Sequence, residues 1–276
     1  MTTPPLLTVD GDSFAHRAYH ALPKSIRLNA VVGFTNMLIR LWEAEEPRAV
    51  LVGWDSIGEP TYRSELFPGY QGGREFDASI LEQLDLLPQL VTALGFVAAK
   101  AAGYEADDFL AAAVAAEEAR DGTCVVATGD RDAYQLASDR TVILFPTRGV
   151  SEITRVGPAE VRERYGVEPA QVPDFIALRG DPSDRLPGAR GVGPKTAADI
   201  LRQYGSLEAA LEAGRFAAEA DALRTYRRIA EMDATAPIAD VPDAQPDWAS
   251  AAKLAAEWKL GQLAGRLEQR AAGGAA

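Results

Sequence analysis

The sequence predicts an α/β fold: a mostly parallel central sheet with helices on both faces, followed by a smaller helical subdomain. Three observations predict it. Short β-rich runs alternate with segments of helical period through roughly the first 150 residues. Strand signals then vanish from about residue 155 onward. Finally, acidic residues recur at the carboxyl ends of the predicted strands, where open parallel sheets bind their ligands.

In chain order, "LLTV" reads as a buried strand, "AVVGFTNMLIRLWEAEE" as a helix and "RAVLVGW" as a second strand. After an irregular stretch, "SILEQLDLLPQLVTALG" carries apolar residues at three and four spacing through Ile80, Leu84, Leu87 and Leu90. Pro88 lies inside that pattern and predicts a kink or break. "FVAAKA", "TCVVAT" and "TVILFP" complete the strands, with "ADDFLAAAVAAEEARDG" and "DRDAYQLA" as the helical segments between them. Strands separated by helices imply βαβ units. Downstream, "GPAEVRERYG", "PAQVPDFIALRG" and "GPKTAADILRQYGSLEAALEAG" read as short helices punctuated by Gly and Pro. The tail is rich in Ala and charge, contains the strand-like "APIADVP", and is expected to fray after Arg270. The expected division is an α/β core over 1–150 and a helical subdomain over 151–270.

The 276 residues are 47% hydrophobic, enough to bury a sizeable core, and the 25% charged fraction argues against wholesale disorder. The N-terminus lacks the basic stretch and long apolar run of a secretory signal, and no segment is long and apolar enough for a membrane span. With a single cysteine, Cys124, no internal disulfide can form, which is compatible with a cytoplasmic location. The formal net charge of −12 argues, by itself, against a nucleic-acid partner. That argument weakens if the acids gather around metal ions, which reverse the local sign.

They are placed to do so. The first strand ends on Asp10, with Asp12 two residues on; "AVLVGW" ends on Asp55. "FVAAKAAGY" leads to Glu105, Asp107 and Asp108, and "CVVATG" to Asp130 and Asp132. Each group has a plain explanation, as a turn or as a helix cap favoured by the helix dipole. Together they crowd like charges on one rim, which is costly unless cations neutralise them. An all-oxygen set suits Mg²⁺ or Mn²⁺ better than zinc, and His16 and His20 are not expected to be ligands. A further acidic pair, Asp181 and Asp184 in "GDPSD", precedes "LPGARGVGPKTAADIL", a glycine hairpin between two helices. In "GVGPKTA" the glycines allow backbone N–H groups close to a phosphate, and Lys195 opens a helix whose N-terminus attracts anions. Such a grip on the nucleic-acid backbone reads no base sequence.

In this order "DGDSFAHRAYHALP", "GWD", "FPGYQGGR", "GYEADD", "TGDRDAYQL" and "GDPSDRLPGARGVGPKTA" resemble the bacterial 5′-3′ exonuclease and flap endonuclease family. That family includes the N-terminal nuclease domain of DNA polymerase I. The resemblance extends to about residue 240, and since no polymerase segment follows, it implies a stand-alone form. It implies a two-metal phosphodiesterase that cuts DNA with a free 5′ end, a 5′ flap, or a nicked or branched duplex, acting as a monomer in replication and repair. Two ions roughly 3.5–4 Å apart would activate water and stabilise the attacking and leaving oxygens of an in-line displacement.

By position, Asp10, Asp55 and Asp107 would hold one ion, supported by Glu105 and Asp108, partly through water. Asp130, Asp132, Asp181 and Asp184 would hold the other. Asp12 stands where the family usually has a small polar residue and is left outside this set. A gateway for the 5′ strand is expected over about 56–103. A helix-hairpin-helix over about 174–204 would contact DNA through Gly191, Val192, Gly193, Lys195 and Thr196 and bind K⁺. Arg74 matches the family's following arginine and Arg17 its early basic residue, so some positive charge remains, whereas Gln71 stands where the family normally has a lysine that touches the scissile phosphate. Losing that cation would cost on the order of 2–3 kcal/mol of transition-state stabilisation. Two alternatives compete with this reading. One is a DNA-binding protein that no longer cleaves, favoured only by Gln71. The other is a haloacid-dehalogenase-type phosphatase using Asp10 and Asp12. That chemistry needs a lysine between Thr128 and Gly180, where none occurs, and would leave Asp55 and "EADD" idle.

Overall fold

The computed structural model describes residues 3–72, 77–148 and 152–273. The chain begins with β1 (Leu6–Asp10), α1 (Gly11–Ala21), α2 (Asn29–Glu45) and β2 (Ala49–Gly53). There follow α3 (Tyr62–Leu66), α4 (Ala78–Ala93), β3 (Val97–Ala99), α5 (Ala106–Glu118) and β4 (Cys124–Ala127). A 3₁₀ turn over Asp132–Leu136 leads to β5 (Thr141–Arg148) and β6 (Glu152–Val156). The sheet runs β3-β2-β1-β4-β5-β6, parallel except for the antiparallel β6. Connections leave β1 in one direction and β4 in the other, so the crevice beyond these two neighbours is the topological switch point.

Alternation within the strands sends residues to two apolar layers. Leu7, Val9, Val50, Val52, Val125 and Ala127 pack under α1, α2 and α4, while Leu6, Leu51, Cys124 and Val126 face α5. Being apolar on both sides is what makes these strands read as unbroken hydrophobic runs. The second face also receives α6 (Pro158–Tyr165), α7 (Val172–Arg179), α8 (Pro194–Tyr204), α9 (Leu207–Glu212) and α10 (Ala220–Ala230). The final pair, α11 (Trp248–Glu257) and α12 (Gly261–Gly273), returns to the first face against α4. No helix among the described residues is long and apolar enough to cross a membrane.

Several expectations shift. Pro88 lies inside α4 without ending it, because Leu84, Leu87, Leu90 and Val91 on either side are anchored in the core. That burial outweighs the roughly 3 kcal/mol a helical proline costs. "DRDAYQLA" forms only the 3₁₀ turn, and α12 continues past Arg270 to Gly273. "APIADVP" is not a strand but part of a strap. Arg48 Nη1 donates to the Val241 carbonyl, and the Ala244 N–H to the Arg48 carbonyl, both at 2.9 Å. The sixth strand was not foreseen: as an exposed edge it carries no apolar run.

Candidate active site

Asp10 ends β1 and caps α1 in one step. Its Oδ1 accepts the Ser13 N–H at 2.9 Å and its Oδ2 the Thr128 hydroxyl at 2.7 Å, tying the ends of β1 and β4 together. Only 7% exposed, its carboxyl is pushed up to about 7, chiefly by burial, with the charges of Asp55 and Asp130 adding. Asp55 follows β2, and its Oδ1 accepts the N–H of Ala106, the first residue of α5, at 2.8 Å. The Asp55 N–H in turn donates to Asp12 Oδ2 at 2.8 Å.

The three acids at the start of α5 are organised by a residue that sequence reasoning missed. Arg63, on α3 and 1% exposed, donates to both Asp108 oxygens at 3.0 and 2.8 Å and to Asp107 Oδ2 at 3.1 Å. Its Nε reaches the Ile229 carbonyl on α10 at 2.9 Å, and it pairs with Glu105 at 3.4 Å. Asp108, wholly buried, also accepts from the main chain of Glu105 and Asp233 and from the Tyr62 hydroxyl. It does not line the cleft. Glu105 does, accepting from Thr61 at 2.9 Å and Tyr70 at 2.8 Å. Burial and neighbouring acids hold the carboxyl of Asp107 well above the usual range, with Arg63 opposing.

Beyond β4, the Asp130 N–H donates to Thr128 Oγ1 at 3.0 Å and the Asp132 N–H to Asp130 Oδ1 at 2.9 Å. Burial raises the carboxyl of Asp132 strongly, reinforced by Asp130, Asp184 and Asp181. The "GDPSD" loop closes on itself through paired main-chain bonds between Asp181 and Leu186 at 2.9 and 2.8 Å. Its base needs glycine. Gly188 has φ +72°, and a Cβ there would lie 2.4 Å from the Gly180 nitrogen. Asp181 accepts from the Ser183 N–H at 2.8 Å and from Arg179 at 3.1 Å, while Asp184 faces Gln71.

These elements enclose a cleft of about 590 Å³ lined by Asp10, Asp12, Asp55, Glu105, Asp107, Asp130, Asp132 and Asp184, with His16, Arg63 and Gln71 on its walls. Asp181 stands behind this lining beside Asp132. Among the described residues no three His, Cys, Asp or Glu side chains close into a ready metal cage. Mg²⁺ does not require one, since it keeps several waters and takes one or two carboxylates. The donor set fits a hard divalent ion: all oxygen, mutually repelling, with Asp107 Oδ1 buried and lacking any hydrogen-bond partner.

The remaining predicted residues are dispersed. Arg74 lies outside the described residues. Arg17, on α1, sets its guanidinium against Gly129, one residue before Asp130, and its Nε is buried without a hydrogen-bond partner. Gly191, Gly193, Lys195 and Thr196 are exposed on the turn into α8, and Val192 leans on the core. Arg63 and Thr61 carried no sequence signal of their own. Tyr70 lies in the motif "FPGYQGGR" without a role assigned to it, and Thr128, at the strand end just past Val126 and Ala127, was read only as part of the phosphatase alternative.

Two family models cover the chain: "5'-3' exonuclease, N-terminal resolvase-like domain" over residues 5–166 and "5'-3' exonuclease, C-terminal SAM fold" over 167–247. Among curated relatives, DNA polymerase I of Mycobacterium leprae is 45% identical over 215 residues, 75% of this chain and 24% of that protein. DNA polymerase I of Mycobacterium tuberculosis is 40% identical over 260 residues, 87% of this chain and 28% of the relative. The chain thus spans about a quarter of the length of the curated relatives it matches. In fold it is similar to the bacteriophage T5 D15 protein, with a TM-score of 0.71, 17% identity, and 96% and 97% of the two chains covered. It is also similar to human GEN1, with a TM-score of 0.60, 14% identity and 93% and 68% covered.

Proposed function

This chain belongs to the 5′-3′ exonuclease family, and from that membership we propose that it is a structure-specific 5′ nuclease. It hydrolyses DNA phosphodiester bonds as a 5′-3′ exonuclease and 5′-flap endonuclease, leaving 5′-phosphate and 3′-hydroxyl, in replication and repair. The observation that carries the reading is the convergence of acids from four strand ends and the "GDPSD" loop on a single cleft at the switch point of the sheet. Relatives in fold support the substrate class: the T5 D15 flap endonuclease is seen with DNA and metal ions, and GEN1 with Holliday junction DNA.

Asp10, Asp55 and Asp107, with Glu105, would hold one Mg²⁺ or Mn²⁺; Asp130, Asp132, Asp181 and Asp184 would hold a second, and the hairpin around Val192 a K⁺. Bound there, divalent ions supply Lewis-acid stabilisation to a phosphodiester under attack by water. The chain's own residues do the rest. Asp108 and Arg63 fix the start of α5, so that Asp107 and Glu105 face the cleft. Arg17, whose guanidinium lies against Gly129 at the cleft, would donate to phosphate oxygens, while the Gln71 amide bridges Tyr70 and Asp184. The exposed turn into α8 offers main-chain N–H groups and Lys195 to a duplex backbone.

The test is incubation of the chain with a labelled 5′-flap duplex and Mg²⁺ or Mn²⁺, repeated with Asp130→Asn. Cleavage that the variant abolishes, with its fold intact by circular dichroism, is expected. Binding without cutting would overturn the catalytic reading, and release of phosphate from a small ester with the DNA untouched would point to a phosphatase.

A further inference from the structure

Asp12 is a buried acid of the cleft with no assigned task. It sits in the first turn of α1, is 8% exposed, and turns its carboxylate across to the end of β2, where Oδ2 accepts the Asp55 N–H at 2.8 Å. The plain explanation is a first-turn acid that complements the helix dipole and satisfies one amide. An asparagine would accept the same N–H without bringing a charge. The charge is expensive where it stands. The side chain is buried in the same cleft as the carboxyl groups of Asp10 and Asp55. A buried anion facing two others is tolerated when a cation belongs among them.

We propose that Asp12 is a positioning residue for the divalent-ion site built on Asp10 and Asp55, anchoring the main chain at Asp55 and adding a negative charge that tightens cation binding. This inference rests on the metal-nuclease reading above. It acts through charge count, since hard-cation affinity rises with the number of anionic groups around the site. It also acts through geometry. The Asp55 main chain is held by Asp12 and its side chain by Ala106, so the carboxylate is fixed from both ends.

The two roles of Asp12 separate by substitution in the 276-residue chain, stripped with EDTA and dialysed. Mn²⁺ is the probe, its binding followed by electron paramagnetic resonance of the free ion, and stability is read from the melting temperature in EDTA. Asp12→Asn keeps the hydrogen bond and removes the charge. It should bind Mn²⁺ roughly 5- to 20-fold more weakly and melt higher than wild type in EDTA. Asp12→Ala should also bind weakly but lose the gain in melting temperature, because the Asp55 N–H is left without its acceptor. A helix-dipole role alone requires the opposite sign, a lower melting temperature for Asp12→Asn. That result, or unchanged Mn²⁺ affinity in Asp12→Asn, overturns the proposal. Failure of the wild type itself to take up Mn²⁺ would overturn the metal reading as well, and so is told apart from failure of the Asp12 inference alone.

Discussion

The side-chain amide of Gln71 donates to Asp184 Oδ1 at 3.1 Å, and its main-chain N–H reaches the Asp184 carbonyl at 3.4 Å. The same amide nitrogen donates to the Tyr70 hydroxyl at 2.7 Å, and Tyr70 donates onward to Glu105 Oε2 at 2.8 Å. A neutral relay therefore joins acids from opposite sides of the cleft, where the family pattern places a cation. A lysine could make these contacts and add charge for a phosphate oxygen. Gln71→Lys is expected to raise single-turnover flap cleavage about tenfold at saturating metal. Gln71→Ala should lower it by loosening Asp184 and Glu105. No gain from lysine would mean that the position needs a bridge rather than a charge.

Arg63 is the internal counter-ion of the α5 acids, and burial makes its removal severe. Arg63→Ala leaves Asp107 and Asp108 facing each other with no cation, a loss expected to cost about 3–5 kcal/mol. Arg63→Lys should recover only part, because an ammonium cannot hold two carboxylates and the Ile229 carbonyl in one plane. Added Mg²⁺ should rescue some melting temperature in Arg63→Ala by neutralising the same acids. Thermal denaturation with and without Mg²⁺ reads both effects, and an unchanged melting temperature in EDTA would refute the role.

The sheet and its rim were legible because buried parallel strands are apolar on both faces and stop abruptly on polar residues. Asp10, Asp55 and Asp130 announce themselves that way. The division of labour within "EADD" was not legible. One step along a helix turns a side chain by about 100°, which sends Asp107 to the cleft and Asp108 to Arg63. Arg63 itself gave no signal, because its contacts come from α5 and α10, about 45 and 165 residues away in the chain. The edge strand and the strap near Val241 escaped for other reasons. The edge strand is polar and exposed, so periodicity says nothing about it. The strap was misread as a strand because Ile238 and Val241, which lean on the core, give it an apolar run without sheet partners.

A second buried ion pair separates stability from catalysis. Arg48, before β2, donates from Nε to Glu117 Oε1 at 2.9 Å, and the same guanidinium holds the strap through Asp243 at 2.9 Å. It lies at the amino-terminal ends of the parallel strands, whereas the cleft lies beyond their carboxyl ends. Arg48→Ala should cost about 1–3 kcal/mol, because Glu117 Oε1 loses its donor and the strap its anchor while Arg120 still pairs with Glu117 Oε2, lowering the melting temperature. Flap cleavage per folded molecule, measured well below the transition, should stay at the wild-type rate.

Lys195 is exposed at the first turn of α8 and does not line the acid cleft. As a backbone contact it should contribute affinity that is independent of sequence and sensitive to salt. Lys195→Ala is expected to weaken binding to flap duplexes of any sequence alike and to reduce the slope of log K against log salt by about 1. Fluorescence anisotropy across a salt series measures this. A loss confined to one sequence would contradict it.

The acids also set the pH response of the metal-free protein. Asp10 titrates near 7 in the fold against an ordinary 3.8, chiefly through burial, and Asp12, Asp107 and Asp132 are raised in the same direction. Between about pH 4 and 7 the folded state therefore holds protons that the unfolded chain has released, and stability falls as pH rises through that window. Asp10 alone accounts for a loss on the order of 2–4 kcal/mol. Bound Mg²⁺ favours the ionised carboxylates and removes the loss. In EDTA the melting temperature should fall between pH 5 and 8, and the stabilisation gained on adding Mg²⁺ should grow over the same range. A difference that does not change with pH would mean the cleft acids are already neutralised within the protein.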